Sequence, residues 1–420
     1  MRATGRQERS ALAALDPDAL VRDAAAFLRV PSVTGQERPA LTSLADLAAA
    51  HGLPAELHRH DLAALRAHPD HPGEEAPRDE LFGLTVTLAG GAPGRLCLNA
   101  HVDVVGPGTA PWRHGPWSGA LEDGRLYGRG AVDMKGAVVA ALHALAAVRT
   151  VAAAAPTVVL EAVASEEDGG LGTFAALQRD AAFDAALIPE PTGFRVVCAQ
   201  AGALTFRCVI PGRAAHAAHR LEGCSAIDRY VRAHQALQAL ERRVNAAVNH
   251  PLMRELDLPY PLLVGRVSGG EWSSQVPDRV EFEGRIGVPV GADPADLRVA
   301  LETTLAAALD DGEAPAEVSW TGGAYHPAET PATHPWAGVV AGAVADERGG
   351  CPARAGVPWG ADMRLLTARG IPCVMAGTTG IERAHAVDEW VAADELVALA
   401  RLLVRAVLRL PSSAVTEGGS

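Results

Sequence analysis

Hydrophobic and polar positions follow two different periods along the first half of the chain. Apolar residues at helical spacing fill 134–149 and 171–180. Short β-rich runs alternate with them at 157–164 and 185–191, and an earlier run, LNAHVDVVGPG at 98–108, has the same strand-like character. This alternation predicts an α/β layer in which helices cover both faces of a mostly parallel sheet.

The order of elements changes at about residue 203. The pattern there predicts a strand, a helix, two strands, a helix and a strand, which is the βαββαβ order of the ferredoxin-like split unit. Helix and strand patterns of the first kind resume after residue 321. We therefore expect a discontinuous larger domain, 1–202 and 322–420, with a smaller domain inserted at 203–321.

One segment of the larger domain shows neither the helical nor the strand spacing of apolar residues. Residues 68–80, HPDHPGEEAPRDE, are charged and rich in proline. Such a composition predicts a solvated loop.

Composition narrows the classes of partner. The 420 residues are 48% hydrophobic and 21% charged, as in globular proteins, and the net charge is −13. A negative average field repels nucleic acid and anionic membranes, so a small-molecule substrate is the better match. The N-terminus lacks an apolar signal segment, and the six cysteines are scattered, so the sequence predicts a cytoplasmic protein.

Two polar side chains interrupt the apolar run at 98–108. His101 and Asp103 are two residues apart, and side chains at this spacing point to the same face of a strand. Leu98, Ala100 and Val102 then lie on the opposite face. The imidazole and the carboxylate are therefore expected to face one common space.

Other predicted strands of the larger domain also lead into acids or histidine. In an open α/β sheet, ligands bind beyond the carboxyl ends of the strands. Each residue alone fits an ordinary core or surface role, but together they form a set of ligands that suits first-row divalent metals, zinc above all. Buried carboxylates at one sheet edge are costly without a cation, and two ions can share the set if one carboxylate bridges them. The acids and histidines at these strand ends are His101, Asp103, Asp133, Glu166, Glu167, Glu190 and His385. Five ligands, two His, one Asp and two Glu, would suffice for two ions.

The stretches around these residues resemble a known family, the co-catalytic zinc amidohydrolases that include acetylornithine deacetylase, succinyl-diaminopimelate desuccinylase, aminoacylase-1 and the glutamate carboxypeptidases. The matching stretches span roughly 98–395 and read NAHVDVV, LYGRGAVDMKGA, SEEDGGLGT, PEPT, GRAAHAA, SGG…VPD…EGRIG and AHAVDEW. The resemblance implies a catalytic zinc-binding larger domain and an inserted lid and dimerisation domain.

The resemblance also implies roles for individual residues. His101 and Glu190 would hold one zinc ion, Glu167 and His385 a second, and Asp133 would bridge the two, with Co²⁺ or Mn²⁺ as substitutes. The Asp133–Met134 peptide would be cis. Asp103 would hydrogen-bond His101 and fix its tautomer. Glu166 would act as the general base, although its EED run alone would also fit a solvated helix N-terminus.

The inserted domain contributes two further candidates by resemblance. His216 would reach from one subunit of a homodimer into the partner's site and stabilise the oxyanion; the alternative is a solvent-exposed loop histidine. Arg285 would bind a substrate carboxylate, or else pair with Glu281 or Glu283. In the larger domain, Gly377 and Thr378 of the GTTG loop would offer groups to the same carboxylate.

These expectations combine into one function. The predicted enzyme is a homodimeric, zinc-dependent amidohydrolase that removes an acyl group from an N-acyl amino acid. A carboxypeptidase or dipeptidase is the alternative, and a catalytically inactive metal-containing binding protein is a remote one. The run EGRIGVP and the residues Trp272, Ser273 and Ser274 depart from the family pattern, so the acyl specificity stays open.

Overall fold

The computed structural model describes residues 2–411, which form two compact units. The predicted insertion at 203–321 lies inside the second unit. Within 2–411, every helix is too short or too polar to cross a membrane. The first unit contains residues 2–198, Glu329–Ala355 and residues 361–411, and the second contains Ala199–Ala328 and Gly356–Gly360.

Several α-helices begin with a side-chain cap. Asp16, Ser225 and Asp293 each accept a hydrogen bond from a backbone N–H in the first turn of the helix that follows. In chain order, the α-helices are α1 (Arg2–Ala13), α2 (Pro17–Leu28), α3 (Arg38–Ala50), α4 (Leu62–Arg66), α5 (Lys135–Arg149), α6 (Leu171–Arg179), α7 (Ala226–Ala246), α8 (Pro294–Ala308), α9 (Pro335–Arg348), α10 (Met363–Thr367) and α11 (Ala393–Leu408).

The strands form three sheets. In chain order they are β1 (Ala55–Arg59), β2 (Phe82–Leu88), β3 (Arg95–His101), β4 (Ala120–Glu122), β5 (Arg125–Tyr127), β6 (Thr157–Val163), β7 (Ala185–Ile188), β8 (Val196–Gln200), β9 (Gly202–Pro211), β10 (Leu262–Gly269), β11 (Arg279–Val288), β12 (Glu317–Tyr325), β13 (Ala328–Glu329), β14 (Arg354–Val357), β15 (Cys373–Met375) and β16 (Trp390–Ala392).

The largest sheet has a parallel centre. Its order is β1-β2-β6-β3-β7-β15-β8-β13, with β14 paired to β8. Strands β6, β3, β7 and β15 pair in parallel, whereas β1, β2 and β8 join antiparallel. Helix α5 connects β3 to β6 and α6 connects β6 to β7, as parallel neighbours require. The predicted α/β class is confirmed, with antiparallel strands added toward the edges.

The centre of this sheet is apolar and closely covered. Leu98 of β3 lies beside Leu160 of β6 and Leu187 of β7, and all three are buried. Helix α5 is buried along nearly its whole length and packs against α2 and α11. A strand buried on both faces reads as a continuous apolar run, which is why the sequence pattern was clear here.

A small sheet, β16-β5-β4, was not predicted from the sequence. Trp390 pairs with Tyr127, and the Gly128 N–H donates to the Glu389 carbonyl at 3.0 Å. The pairing joins the chain just after His385 to the chain just before Asp133. The pairing thereby brings His385 and Asp133, which are distant in sequence, toward one another.

The second unit has the predicted ferredoxin-like topology. Its antiparallel sheet has the order β10-β11-β9-β12, and α7 and α8 pack against each other. Phe206, Leu237, Phe282 and Leu301 are buried in its core. The alternation of buried and exposed residues along β9 and β11 is that of a sheet covered on one face.

Residues 68–80 differ in one respect from the solvated loop that the sequence predicts. They contain no helix or strand, as predicted, but they are not simply solvated. Arg78 is buried, and its guanidinium pairs with Asp168 at 3.0 Å and with Glu37 at 3.3 Å. Glu74 is a third partner at 3.5 Å. A guanidinium with carboxylate partners is stable inside a protein, so this loop is anchored at its end.

Candidate metal centre

The carboxyl ends of three neighbouring strands carry four of the predicted site residues. His101 is the last residue of β3, Glu166 and Glu167 follow β6, and Glu190 follows β7. These strands are adjacent and parallel, in the order β6-β3-β7, so their carboxyl ends meet at one edge of the sheet.

The first candidate ligand group is fully buried. His101 Nε2 lies 3.1 Å from Asp133 Oδ1 and 3.6 Å from Glu190 Oε1. All three residues offer one ligand atom within 4.8 Å of the others. Asp133 reaches this group from the turn before α5, and the Asp133–Met134 peptide bond is cis, as the resemblance implied.

The second candidate group shares Asp133 but is more open. His385 Nε2 lies 3.1 Å from Glu167 Oε2 and 3.6 Å from Asp133 Oδ2. The His385 side chain is 52% exposed, whereas that of His101 is 1% exposed. Asp133 therefore presents a different oxygen to each histidine, which is the arrangement that a bridging carboxylate requires.

These groups fit metal ions in spacing and in donor type. Ligand atoms around a tetrahedral zinc ion, with bonds of about 2.0–2.2 Å, lie roughly 3.3–3.5 Å apart. The separations of 3.1–3.6 Å between each histidine and its carboxylates match this value. Imidazole nitrogen and carboxylate oxygen are donors suited to zinc and its first-row neighbours.

The charges of the cluster also favour bound metal ions. Burial raises the pKa of Glu190 to about 8, and the nearby Asp133 charge adds to the shift. Hydrogen bonds to Asp133 and Glu167 raise the pKa of His385 to about 10. Both shifts reflect an excess of negative charge in a poorly solvated space, which bound divalent cations would offset.

Asp103 has a different position from the one expected. Its main-chain carbonyl, not its carboxylate, accepts the hydrogen bond of His101 Nδ1, at 2.9 Å; the carboxylate Oδ1 is 3.6 Å away. The Asp103 carboxylate accepts the N–H groups of Glu166 and Glu167, each at 3.1 Å. Strand β3 ends at His101, so the chain turns and allows both contacts from one residue.

Glu166 is buried at the same sheet edge and belongs to neither ligand group. Burial raises its pKa well above the ordinary value, although the charge of His101 opposes the shift. The preceding residue, Ser165, has a positive φ of 67° that starts the turn after β6. A buried carboxyl with a raised pKa is typical of groups that transfer protons in active sites.

The site residues belong to a stretch of sequence that matches a known protein family. The model that describes peptidase family M20/M25/M40 matches residues 97–409. The chain belongs to this family. The match includes all of the site residues predicted from the sequence.

Curated relatives of this M20/M25/M40 chain align over about half of their length. The succinyl-diaminopimelate desuccinylase of Methylobacterium radiotolerans is 34% identical over 215 residues, which are 48% of this chain and 51% of the relative. The acetylornithine deacetylase of Proteus mirabilis is 29% identical over 243 residues, or 57% of this chain and 59% of the relative.

Solved structures share the fold over nearly the whole M20/M25/M40 chain. A Bacillus cereus aminopeptidase has a TM-score of 0.70 at 20% identity and covers 94% of this chain and 98% of its own. A Saccharomyces cerevisiae dipeptidase has a TM-score of 0.73 at 14% identity, with coverage of 96% and 98%. A dinuclear metal-binding peptidase of the M20 family from Bacillus subtilis scores 0.64 at 15% identity, with coverage of 93% and 97%.

Glu389 supports Asp133, the carboxylate that the two ligand groups of this M20/M25/M40 chain share. Glu389 was not among the residues predicted from the sequence. Its Oε1 accepts the N–H groups of Val132, at 2.9 Å, and Asp133, at 3.2 Å. Its Oε2 accepts from buried Arg129 at 2.7 Å. The only signal in the sequence was an acid four residues after His385. Glu389 thus fixes the backbone from which Asp133 projects.

A second support lies behind the turn that carries Glu166 and Glu167. Asp168 accepts hydrogen bonds from the Ala76 N–H at 2.8 Å, from the Arg78 guanidinium and from the Ser165 hydroxyl. Arg78 also contacts Glu37. The anchored loop at 68–80 therefore holds the turn after β6 in place.

The GTTG loop is tied to the segment after β7. The Gly377 N–H donates to Thr192 Oγ1 at 3.1 Å, and the Gly377 and Thr378 carbonyls accept from Phe194 and Gly193, each at 2.8 Å. The Gly377 N–H is therefore engaged inside the protein, whereas Thr378 is held by its carbonyl. A contact of Gly377 and Thr378 with a substrate carboxylate stays a prediction.

Two predicted residues lie in the second unit. His216 is exposed, and its Nδ1 accepts the Ala218 N–H at 3.1 Å, so a neutral ring carries its proton on Nε2. Arg285 is exposed and stacks on Tyr325, with 5.0 Å from its guanidinium carbon to the ring centroid. The carboxylates that were the alternative partners of Arg285 pair with other arginines, Glu281 with Arg207 and Arg279, and Glu283 with Arg266.

Proposed function

We propose that this protein is a metal-dependent hydrolase that cleaves the amide bond of an N-acyl amino acid. The observation that carries the proposal is the buried Glu166 beside two ligand groups to which it does not belong. The names of the curated relatives, a desuccinylase and a deacetylase, favour acyl amino acids as the substrate class.

We assign the metal ligands as follows. His101 and Glu190 would hold one ion, Glu167 and His385 would hold the other, and Asp133 would serve both. Zinc is the proposed metal, with Co²⁺ or Mn²⁺ as substitutes. When bound, such ions polarise the scissile carbonyl and lower the pKa of the attacking water.

Glu166 then moves the proton. Its carboxylate takes a proton from the attacking water as the water oxygen bonds to the amide carbon. The same proton passes to the amide nitrogen as the carbon–nitrogen bond breaks, which leaves a carboxylic acid and an amine. The acid then releases the second proton of the attacking water to solvent and becomes a carboxylate. The raised pKa of Glu166 suits this role, because the group must accept and then donate at neutral pH.

We propose roles toward the substrate for two residues of the second unit. His216 stabilises the negative oxygen that develops on the carbonyl, because its neutral ring has Nε2–H as a donor. Arg285 binds the substrate carboxylate, for which its planar guanidinium is suited. Exposure of both side chains is consistent with a role toward a molecule outside their own fold.

We also propose a homodimer in which His216 acts on the partner's site. Edge strand β10 exposes Leu263 and Val267, and the following turn exposes Trp272. An edge strand with apolar side chains is a typical surface for association with a second copy. Light scattering on the purified chain tests this, and a monomer at working concentration would contradict it.

A carboxypeptidase or dipeptidase is the second candidate. Structural neighbours of this chain include an aminopeptidase and a dipeptidase, and a peptide bond can be cleaved by the same ligand groups and base. A metal-containing binding protein without catalysis is the third candidate. The presence of Glu166 and all five proposed ligands argues against that third candidate.

A substrate panel separates the first two candidates. The purified protein, loaded with Zn²⁺, is assayed with N-acetyl and N-succinyl amino acids beside dipeptides. We expect release of acetate or succinate with free amino acid. Cleavage of dipeptides alone would overturn the acyl amino acid proposal, and no cleavage of any substrate would favour the binding protein.

Replacement of the base tests the mechanism. Glu166→Gln should lower turnover by about 10²–10⁴-fold, the usual contribution of a general acid–base group, with metal content unchanged. Glu56→Gln is a matched control, because Glu56 is 79% exposed and outside both ligand groups. Full activity of the Glu166 variant would show that another group is the base.

A further inference from the structure

A third cluster of histidine and carboxylate lies apart from the candidate catalytic groups. It consists of Asp23 in α2, His51 directly after α3, and His143 in α5. His51 Nε2 lies 2.9 Å from Asp23 Oδ2, and His143 Nε2 lies 2.8 Å from the same oxygen. Three separate helical segments thus direct three potential ligand atoms to one point.

The cluster is unusual in its surroundings. His143 is almost completely buried in a helix whose other buried side chains, apart from Lys135 at its start, are apolar, and the rings of His51 and His143 are 4.4 Å apart at 64°. Asp23 and His51 are 26% and 24% exposed, so the point where the three residues meet is accessible from solvent. An imidazole in this position costs free energy unless its polar atoms are used.

The chemistry of the three side chains suits a transition metal. Two imidazoles and one carboxylate are a frequent ligand set for zinc and its neighbours, with remaining positions open to water. Burial lowers the pKa of His143, which favours the neutral ring that metal binding requires. Asp16 adds a second negative charge near His143.

The spacing requires only a small adjustment. Ligand atoms of tetrahedral zinc lie roughly 3.3 Å apart, so the present separations must widen by about 0.5 Å. Asp23 and His51 are half-buried at the ends of flexible side-chain torsions, and a small rotation of either achieves this. His143, the buried member, can remain where it is.

We propose that Asp23, His51 and His143 bind a first-row divalent transition metal, of the zinc class, at a site distinct from the candidate catalytic centre. The ion has three protein ligands and completes its coordination with water. It joins α2 and the end of α3 to α5, the helix that begins two residues after Asp133. This site does not depend on the proposed catalytic function.

Metal content tests the site directly. The full chain and its variants are equilibrated with Co²⁺ by dialysis, and bound cobalt is measured per chain. His51→Gln removes one ligand from the half-exposed side of the cluster. His114→Gln is the matched control, because His114 is 23% exposed and bonds to a single carboxylate, Glu122, at 3.1 Å without a second histidine.

The expected result is one cobalt equivalent fewer in His51→Gln than in the wild type or in His114→Gln. A loss of the Co²⁺-induced rise in melting temperature should accompany it. Equal cobalt content in all three proteins would overturn the proposal, because the cluster would then be only hydrogen-bonded.

A second background separates this site from the catalytic one. In the double variant His101→Asn with His385→Asn, the candidate catalytic groups each lose a ligand, and one cobalt equivalent should remain. Addition of His51→Gln should remove it, and addition of His114→Gln should not. Retention of that equivalent in the triple variant with His51→Gln would also overturn the proposal, whatever the fate of the catalytic ions.

Discussion

The two candidate catalytic groups share Asp133 but differ in how the protein surrounds them. His101 and Glu190 follow directly from strands β3 and β7, and both are buried. Glu167 lies in a turn and His385 in a loop after a short helical turn, and the His385 side chain is half exposed. One group is therefore fixed by the sheet, and the other is fixed by loops.

This difference implies a division of tasks between the groups. A buried group loses its ion slowly and contributes to the stability of the sheet edge, because its carboxylates are costly without a cation. An open group can admit substrate and exchange its ion with solvent. Substitution of individual ligands tests whether burial, rather than ligand type, separates the two groups.

The largest effect is expected at the shared residue. Asp133→Ala should remove a ligand from both groups, so that both ions and all activity are lost. Metal analysis and turnover on the same preparation measure this. Asp180→Ala is the control, because Asp180 pairs with Arg95 at the opposite end of β3. Retention of one ion in Asp133→Ala would break the idea of a shared carboxylate.

An intermediate effect should distinguish the two histidines. His101→Ala and His385→Ala should each lose one ion, but their stability should differ. Removal of His101 leaves buried carboxylates unpaired and should lower the free energy of unfolding by about 3–5 kcal/mol. Removal of His385 should lower it by less, because solvent screens the ion pairs that this half-exposed side chain makes with Asp133 and Glu167.

Denaturant unfolding of the metal-free proteins measures that difference. The absence of metal is needed because a bound ion would add its own stabilisation to each variant. Circular dichroism at zero denaturant confirms that both variants start folded. Equal losses of stability in the two variants would mean that burial does not separate the groups.

The smallest effect is expected at residues that are not themselves ligands but contact the ligand residues. Asp103→Asn keeps one acceptor oxygen but presents an amide donor to one of the two N–H groups that the carboxylate now accepts. Turnover should fall by about 10–100-fold with both ions retained. Thr34→Val removes only the hydroxyl that donates to Asp103 at 3.2 Å, and should cost less. Loss of an ion from Asp103→Asn would contradict this assignment.

Sequence alone predicted the features that depend on local pattern. The apolar runs located β3, β6 and β7, because each is buried on both faces, and their polar ends located His101, Glu167 and Glu190. The βαββαβ order of the second unit was also readable, because its strands and helices have distinct periods. What these residues contact could not be read from the same pattern.

The remaining features depend on contacts between distant parts of the chain. Glu389 reaches Asp133 only through the pairing of β16 with β5, and Arg78 lies in a segment whose composition resembles a solvated loop. The cluster of Asp23, His51 and His143 has no local spacing at all. Periodicity reports which face a residue occupies, but not which distant residue it meets there.

The hydrogen bond from His101 to the main chain of residue 103 has an evolutionary consequence. Every amino acid supplies a main-chain carbonyl, so a substitution at position 103 leaves that acceptor available while it alters the contacts of Glu166 and Glu167. Mutation at this one position can therefore tune how the base is held with little change to the histidine. The contact that orients His101 and the contacts that hold the turn of Glu166 and Glu167 can therefore change separately in evolution.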